Sequence, residues 1–295
     1  MTGQINWKNE VVLITGASSG LGKALALRAA ERGSEVVMVS RNDIKLSKVR
    51  KQIESAGGRG KEFGFDLSEI EKISSLFDKI LQTVGRSPSI LINNAGYNAP
   101  GFIKDTPMEV FEKNYRVNTL APVALIQKVL PEMIKNRHGV IANIMSAAMY
   151  HSFPGMSSYC VSKIALGTFH ESLEAELHGT SVKTLYINPG AFTSNYFNNM
   201  CASGVLRDYK FECKVPNEMK KPEFVAEKIL KAIGDGKTRL DLSTWKDMAA
   251  YHLNYWFPGF IDKMIIKSNR KLLDFAFDVS DAGRKKSELR HGEKK

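Results

Sequence analysis

Two hydrophobic rhythms alternate along the first two thirds of the chain. Short, nearly continuous apolar runs rich in Val and Ile predict strands at Val11–Thr15, Glu35–Ser40, Lys61–Asp66, Ile90–Asn93, Val140–Met145 and Val182–Asn188. Between them, apolar positions recur every three or four residues, which predicts helices at Leu21–Arg32, Ile44–Ala56, Ile70–Val84, Met108–Lys135 and Ser157–His178. Alternating strands and helices imply right-handed crossover units, and hence a parallel sheet with helices on both faces. Runs such as Val11-Val12-Leu13-Ile14 suit strands covered on both sides, which have no polar face to show. No internal repeat and no Pro/Gly/Ser linker interrupts the pattern, so a single domain is the simplest organisation.

Composition narrows the function classes. With 295 residues, 43% hydrophobic and 25% charged, the chain is neither disordered nor of low complexity. Three cysteines, no CxxC pair and no apolar leader favour reduced thiols in an intracellular, cytoplasmic protein. No run of 18 apolar residues is present, so no membrane-spanning helix is expected. The net charge of +11 points to an anionic partner: nucleic acid, an anionic membrane or a phosphorylated ligand. The basic residues are spread out, densest from Arg41 to Lys61, and neither zinc-finger spacing nor an aromatic-basic motif occurs. Nucleic acid is therefore not the expected partner.

The first predicted strand runs straight into Thr15-Gly16-Ala17-Ser18-Ser19-Gly20-Leu21-Gly22, and a helix follows. A glycine-rich turn there lets backbone N–H groups approach a pyrophosphate, and the helix N-terminus adds partial positive charge. The spacing Gly-x-x-x-Gly-x-Gly differs from the common GxGxxG, and a tight strand-to-helix turn is the plainer reading of the same glycines. After the second strand come Ser40-Arg41-Asn42, where an NAD-preferring fold usually carries an acid for the ribose hydroxyl. Arg41 instead offers a planar cation to a 2′-phosphate, which argues for NADP over NAD. Asp66, at the end of the third predicted strand, is placed to accept from an adenine amino group or to cap a helix beside Ser68.

Further along, Asn93-Asn94-Ala95-Gly96 ends the fourth strand, with amides able to tie neighbouring strands together. Tyr159-Cys160-Val161-Ser162-Lys163 opens the long helix, and Tyr159 and Lys163 share one helical face. A tyrosine exchanging protons near neutrality needs its ionisation eased, which a nearby ammonium does. Ser146 precedes Tyr159 by thirteen residues, at a strand end from which its hydroxyl can polarise a carbonyl. Cys160 points to another face and reads as packing. The six histidines show no metal-ligand spacing and read as core or surface residues, so no metal is expected.

In this order and spacing, TGASSGLG, NNAG, Ser146, YCVSK and Asn188-Pro189-Gly190 resemble the short-chain dehydrogenase/reductase family, over roughly Val11 to Ser194. The resemblance implies a Rossmann-like, doubly wound α/β domain over residues 1–243 and hydride transfer between NADP(H) and a carbonyl or alcohol carbon. It implies Tyr159 as general acid/base, Lys163 as its partner and ribose ligand, and Ser146 on the carbonyl. Asn118 would kink its helix and hold a water relaying protons to Lys163. The nucleotide would contact Gly16, Ser18, Ser19, Gly20, Leu21, Gly22, Arg41, Asp66, Leu67, Asn94, Ala95, Gly96, Tyr159, Lys163, Pro189 and Gly190. Thr193 or Ser194 would bond the carboxamide. Met145 stands where the family usually has a serine, and Ser19 where NADP-preferring relatives often carry a basic residue. The NADP expectation therefore rests mainly on Arg41. Relatives also commonly form homo-oligomers through the helices around Met108–Lys135 and Ser157–His178.

Residues 193–221 should form a substrate lid. Tyr196, Phe197, Met200, Val205, Leu206 and Phe211 make it apolar and suit a roomy, lipid-like substrate. Residues 244–277 read as a helical extension, and 278–295 as a basic, disordered tail. Within the extension, Trp245, Tyr251, Tyr255, Trp256, Phe257 and Phe260 interleave with Lys246, Lys263, Lys267, Arg270 and Lys271. That pattern fits core packing, a pocket wall, or peripheral contact of 245–273 with an anionic membrane. A reading from another class also exists: a catalytically silent dinucleotide-binding redox sensor or scaffold. The intact Ser146, Tyr159, Lys163 and Asn118 set argues against it.

Overall fold

The computed structural model describes residues 5–149, 152–193, 202, 206, 219–244, 249, 253, 256–257 and 259–277. Seven strands form one parallel sheet: β1 (Val11–Thr15), β2 (Glu35–Ser40), β3 (Arg59–Gly64), β4 (Ile90–Asn93), β5 (Gly139–Ile144), β6 (Val182–Asn188) and β7 (Arg239–Asp241). Their spatial order is β3-β2-β1-β4-β5-β6-β7. The chain starts in the middle, winds to one edge, then crosses back beside β1 to build the other half.

Strand parity sorts the apolar side chains into two layers. Val12, Ile14, Met38, Ile92, Leu185 and Ile187 face α1 (Gly20–Glu31), α2 (Asp43–Ser55) and, later in the chain, α7 (Pro222–Gly234). Val11, Leu13, Val39, Leu91 and Ile141 face α3 (Ile73–Val84), α5 (Ala121–Lys135) and α6 (Ser157–Glu176). Between α3 and α5 lies α4 (Met108–Tyr115). Each fully buried Leu or Ile contributes roughly 1.5–3 kcal/mol, so two such layers hold the sheet.

The doubly wound α/β expectation stands, with corrections at element ends. The third strand is Arg59–Gly64 instead of Lys61–Asp66, because Gly64 pairs with Ser40, the last residue of β2. Asp66 therefore lies beyond the strand. The fifth strand starts and stops one residue early, at Gly139 and Ile144. The single helix predicted over Met108–Lys135 is α4 and α5 joined by a π turn at Arg116–Leu120. The periodicity of α7 and the three-residue β7 were not read from the sequence.

At the C-terminal end, α8 (Phe260–Ser268) leads to α9 (Arg270–Phe277). Leu272 of α9 packs with Phe102 and Leu206, which fastens this end to the body. Among the described residues, no helix is long and apolar enough to cross a membrane. Most of the expected lid, the tail and much of Trp245–Pro258 lie outside the described residues.

Candidate active site

The expected nucleotide-binding and catalytic residues gather beyond the C-terminal ends of the strands, with the glycine turn after β1 on one side of the point where the winding direction reverses and Ser146, after β5, on the other. Open α/β sheets leave their ligand crevice there. A cleft of about 830 Å³ opens at this edge, with the glycine turn and Ser40-Arg41-Asn42 at one end and Ser146, Tyr159 and Lys163 at the other.

Two glycines make the first end possible. Gly16 has φ +68°, and a Cβ on it would stand 2.9 Å from Ala95 Cα. A Cβ on Gly22 would fall onto the Gly16 carbonyl oxygen and within 2.6 Å of Asn94 Nδ2. The turn is thus pressed against the end of β4 with no room for a side chain at either position, and α1 begins at Gly20. Asn94 locks the arrangement: its N–H donates to Thr15 Oγ1 at 3.0 Å and its Nδ2 to the Thr15 carbonyl at 2.9 Å. Ser18 and Ser40 hydroxyls meet at 2.8 Å, joining the turn to β2. A narrow strip of backbone amides at a helix N-terminus fits a pyrophosphate.

Arg41 is exposed at the cleft mouth, and Lys45 lines the cleft beside it. Lys45 follows from the Asn42 cap, whose Oδ1 accepts from the Lys45 N–H at 2.9 Å. The sequence reading counted Lys45 only as part of a basic stretch. Asp66 Oδ1 accepts from the N–H and hydroxyl of Ser68, so the side chain shapes a turn as well as facing the cleft. Burial pushes the Asp66 carboxyl up, but the Ser68 bonds and the charges of Arg41 and Lys113 outweigh it. The group ends below its usual range.

At the other end, Lys163 is 4% exposed and donates to the Ile144 carbonyl at 2.9 Å. Burial lowers its pKa to about 8. Tyr159 is buried one turn earlier, against Ala148, Met156 and Cys160. Ser146, just past β5, accepts from the Ala148 N–H through Oγ at 3.2 Å. Met145 packs with Leu166 and Tyr186, and Cys160 is buried, with its thiol pushed up by that burial.

Asn118 lies in the π turn, with its side chain committed to structure. Its Oδ1 accepts from the Tyr97 N–H at 2.8 Å, and its Nδ2 donates to the Tyr97 carbonyl and to Ser162 Oγ. Ser162 in turn donates to the Tyr159 carbonyl at 2.7 Å. The extra residue of the π turn rotates Asn118 and Thr119 onto α6, where Thr119 Oγ1 donates to the Ser162 carbonyl at 2.8 Å. Asn118 therefore braces the helix carrying Tyr159.

Among the expected nucleotide contacts, Gly16, Ser18, Ser19, Gly20, Leu21, Gly22, Arg41, Asp66, Leu67, Asn94, Ala95, Gly96, Pro189 and Gly190 line the one cleft. Asn188 shapes the last turn, with Oδ1 accepting from the Gly190 N–H and Nδ2 donating to Ser243. Thr193 does not line it: its N–H and hydroxyl turn to the Lys220 carbonyl, which leaves the residue in a neighbouring depression beside Gly20 and Lys23. Ser194 lies outside the described residues. Phe65, Tyr97, Asn98, Val117, Phe192 and Met219 also line the cleft, and the sequence reading had missed them. Val117 is brought in by the π turn and the others by loops that carry no spacing signal.

A crevice of this form at a doubly wound parallel sheet defines a Rossmann-type nucleotide-binding protein. Residues 10–202 match the short chain dehydrogenase family. Dehydrogenase/reductase SDR family member 7B of Xenopus tropicalis is 32% identical over 276 residues, covering 90% of this chain and 89% of that one. A metagenomic short-chain oxidoreductase in complex with NADP superimposes with a TM-score of 0.65 at 25% identity, over 79% of this chain and 96% of its own. A short-chain dehydrogenase/reductase from Burkholderia phymatum in complex with NAD gives 0.73 at 22% identity, over 85% and 95%. The chain belongs to the short-chain dehydrogenase/reductase family of oxidoreductases, whose fold neighbours hold either nucleotide.

The buried ammonium has a measurable cost. Lys163 ionises near 8 when folded and at 10.5 when unfolded. Below pH 8 both states are protonated and the full penalty is present. Between these values the unfolded chain binds more protons, so stability should rise with pH. The stability difference between wild type and Lys163→Met should therefore move toward wild type by about 3 kcal/mol from pH 8 to 10.5. Urea unfolding of the nucleotide-free proteins across this range checks it, and a flat difference would contradict the burial argument.

Proposed function

We propose that this protein transfers hydride between NADP(H) and the carbonyl or alcohol carbon of an apolar, lipid-like substrate, with Tyr159 as general acid/base. The observation carrying this reading is that one cleft joins the glycine turn and Arg41 to Ser146, Tyr159 and Lys163. When bound, the nicotinamide nucleotide supplies or takes up the hydride. The protein's part is to hold, polarise and move a proton. In the reducing direction the Tyr159 hydroxyl gives its proton to the substrate oxygen while Ser146 Oγ–H donates a hydrogen bond to it, so hydride and proton together turn C=O into CH–OH. The Lys163 ammonium, fixed by Ile144, favours the phenolate left behind. The backbone amides of the glycine turn, kept in place by Thr15 and Asn94, would hold the pyrophosphate, and Arg41 and Lys45 the 2′-phosphate.

Phe192 and Met219 also line the cleft, which supports an apolar substrate. On α4 and α6, Met108, Tyr115, Val161 and Ile164 are exposed, which supports pairing of two copies along these helices. Near the C-terminal end, Trp256 is 72% exposed and Phe257 63%, and Met264 and Ile266 are exposed with Lys263, Lys267 and Lys271 among them. This favours peripheral contact with anionic lipid over packing against the core.

Tyr159→Phe keeps the ring and removes the proton. It should lower kcat by a hundredfold or more, roughly the worth of general acid catalysis, while NADPH titration shows affinity unchanged. A variant keeping a tenth of wild-type turnover would defeat the assignment. Binding of NADPH with no turnover by wild type on any aldehyde or ketone would favour the silent sensor.

Arg41→Ala should weaken NADPH binding about ten- to hundredfold and leave NADH binding nearly unchanged, since only NADPH presents the phosphate. Equal loss for both nucleotides would assign the specificity elsewhere.

In sedimentation with vesicles, the full chain should travel with anionic ones and release with added salt. Replacing Trp256 and Phe257 together by Ser should abolish that binding. Indifference of the wild type to anionic and neutral vesicles alike would remove the lipid contact.

A further inference from the structure

One polar row crosses the α6 side of the sheet. Asn93 of β4, Asn143 of β5, Tyr186 of β6 and Arg239 of β7 are successive Cα partners. Leu91 and Ile141, two residues earlier on their strands, feed the apolar layer on that face. His170 of α6 sits on the row, and both it and Asn143 are fully buried. Asn93 Nδ2 donates to Asn143 Oδ1 at 2.8 Å, and Asn143 Nδ2 lies 3.0 Å from His170 Nδ1. An amide nitrogen can only donate, so this pairing makes Nδ1 the acceptor and puts the ring proton on Nε2. The imidazole meets the Tyr186 ring edge-on, at 5.7 Å and 79°. The Arg239 guanidinium covers that ring at 4.5 Å, and the Tyr186 hydroxyl reaches Met149 Sδ at 3.3 Å. Burial, with the charge of Arg239, pushes the imidazole down to about 4, so it stays a neutral acceptor.

Stability alone does not explain the row. Asn93 Oδ1 and His170 Nε2 are buried and find no partner among the described residues. Each such group is desolvated without a partner, a cost that apolar residues of similar shape would not incur. What the row supplies is direction. An apolar contact lets a helix slide along a strand, while a hydrogen bond fixes its height. Asn143 immediately precedes Ile144, whose carbonyl holds Lys163. His170 follows Lys163 by two turns on the same helix. Two directional bonds to adjacent strand residues thus pin α6 to β5. Through Tyr186 and Met149, the same row touches the turn that follows Ser146.

We propose that His170 is a positioning residue for the reaction: through Asn143 it sets the height of α6 on β5, and so places Tyr159 and Lys163 against Ser146. This rests on the oxidoreductase reading above, and goes beyond it by assigning a role to a buried histidine outside the cleft.

Two variants separate positioning from packing. His170→Phe keeps a ring against Tyr186 and removes the acceptor. His170→Asn keeps an acceptor near the place of Nδ1 and loses ring volume. Positioning predicts that His170→Phe folds, binds NADPH as wild type does, keeps KM and loses roughly ten- to hundredfold in kcat. His170→Asn should retain most of kcat despite a lower Tm. Tyrosine ionisation, followed by ultraviolet absorbance with the matching Tyr159→Phe protein subtracted, should move to higher pH in His170→Phe only. This titration needs no turnover. If wild type proves inactive with every carbonyl, the functional reading falls while the titration still judges His170. Unchanged kcat and unchanged ionisation in His170→Phe would overturn the proposal. So would a kcat that simply follows Tm, lowest in His170→Asn.

Discussion

A lysine ammonium taken out of water must be given a partner, and much of the upper sheet is arranged so that Lys163 keeps one. The partner is a main-chain carbonyl, Ile144, at the end of an interior strand. A carbonyl in a ladder cannot swing away, so the cation is held by the sheet itself. The price is an ammonium that ionises near 8 and weakens the fold at neutral pH. The chemistry assigned to Tyr159 needs that charge, which explains why an otherwise costly residue is kept in the interior.

Holding the lysine means holding its helix. α6 is laced on one side by the π turn, through Asn118 and Thr119 to Ser162, and by Asn114 to Ser158. On the other it meets the sheet through His170 and Asn143. Side-chain amides and hydroxyls fix the helix where apolar contacts alone would leave it free to shift. The same logic governs the nucleotide end, where Asn94 and Thr15 clamp the glycine turn to β4. The site is thus set in polar ties within two apolar layers, consistent with first-contact residues locked by the shell behind them.

How legible this was in the sequence differs by feature. Interior strands announce themselves because burial on both faces favours near-continuous apolar runs, so β1, β2, β4 and β6 were read to the residue and β5 to within one. The glycine turn was legible for the opposite reason, since close backbone approach excludes a side chain at Gly16 and Gly22. Tyr159, Lys163 and Ser146 became readable only as a set with the family's spacing. The π turn left no mark in the hydrophobic period, which differs little from that of the flanking helix, and only the family resemblance placed a kink at Asn118. β7 was missed because three residues cannot establish a rhythm. Thr193 was misplaced because its orientation depends on Lys220, 27 residues later. His170 read only as a core or surface histidine because its partner lies on another element, and no local pattern records the pair.

The strand order has a consequence for how the molecule comes into being. β1 is made first, yet its neighbours are β2 and β4, and β4 begins only at Ile90. Until then the middle of the future sheet is an unpaired edge flanked by a glycine-rich turn with nothing to clamp it. Thr15 waits 79 residues for Asn94. Contacts of such sequence separation form late and slowly, and an exposed apolar edge invites association with other chains meanwhile. The crevice that binds a nucleotide is therefore also the seam along which the two halves of the chain join. A nucleotide settling there favours the joined form over the half-built one, so the ligand doubles as a late fastener during assembly.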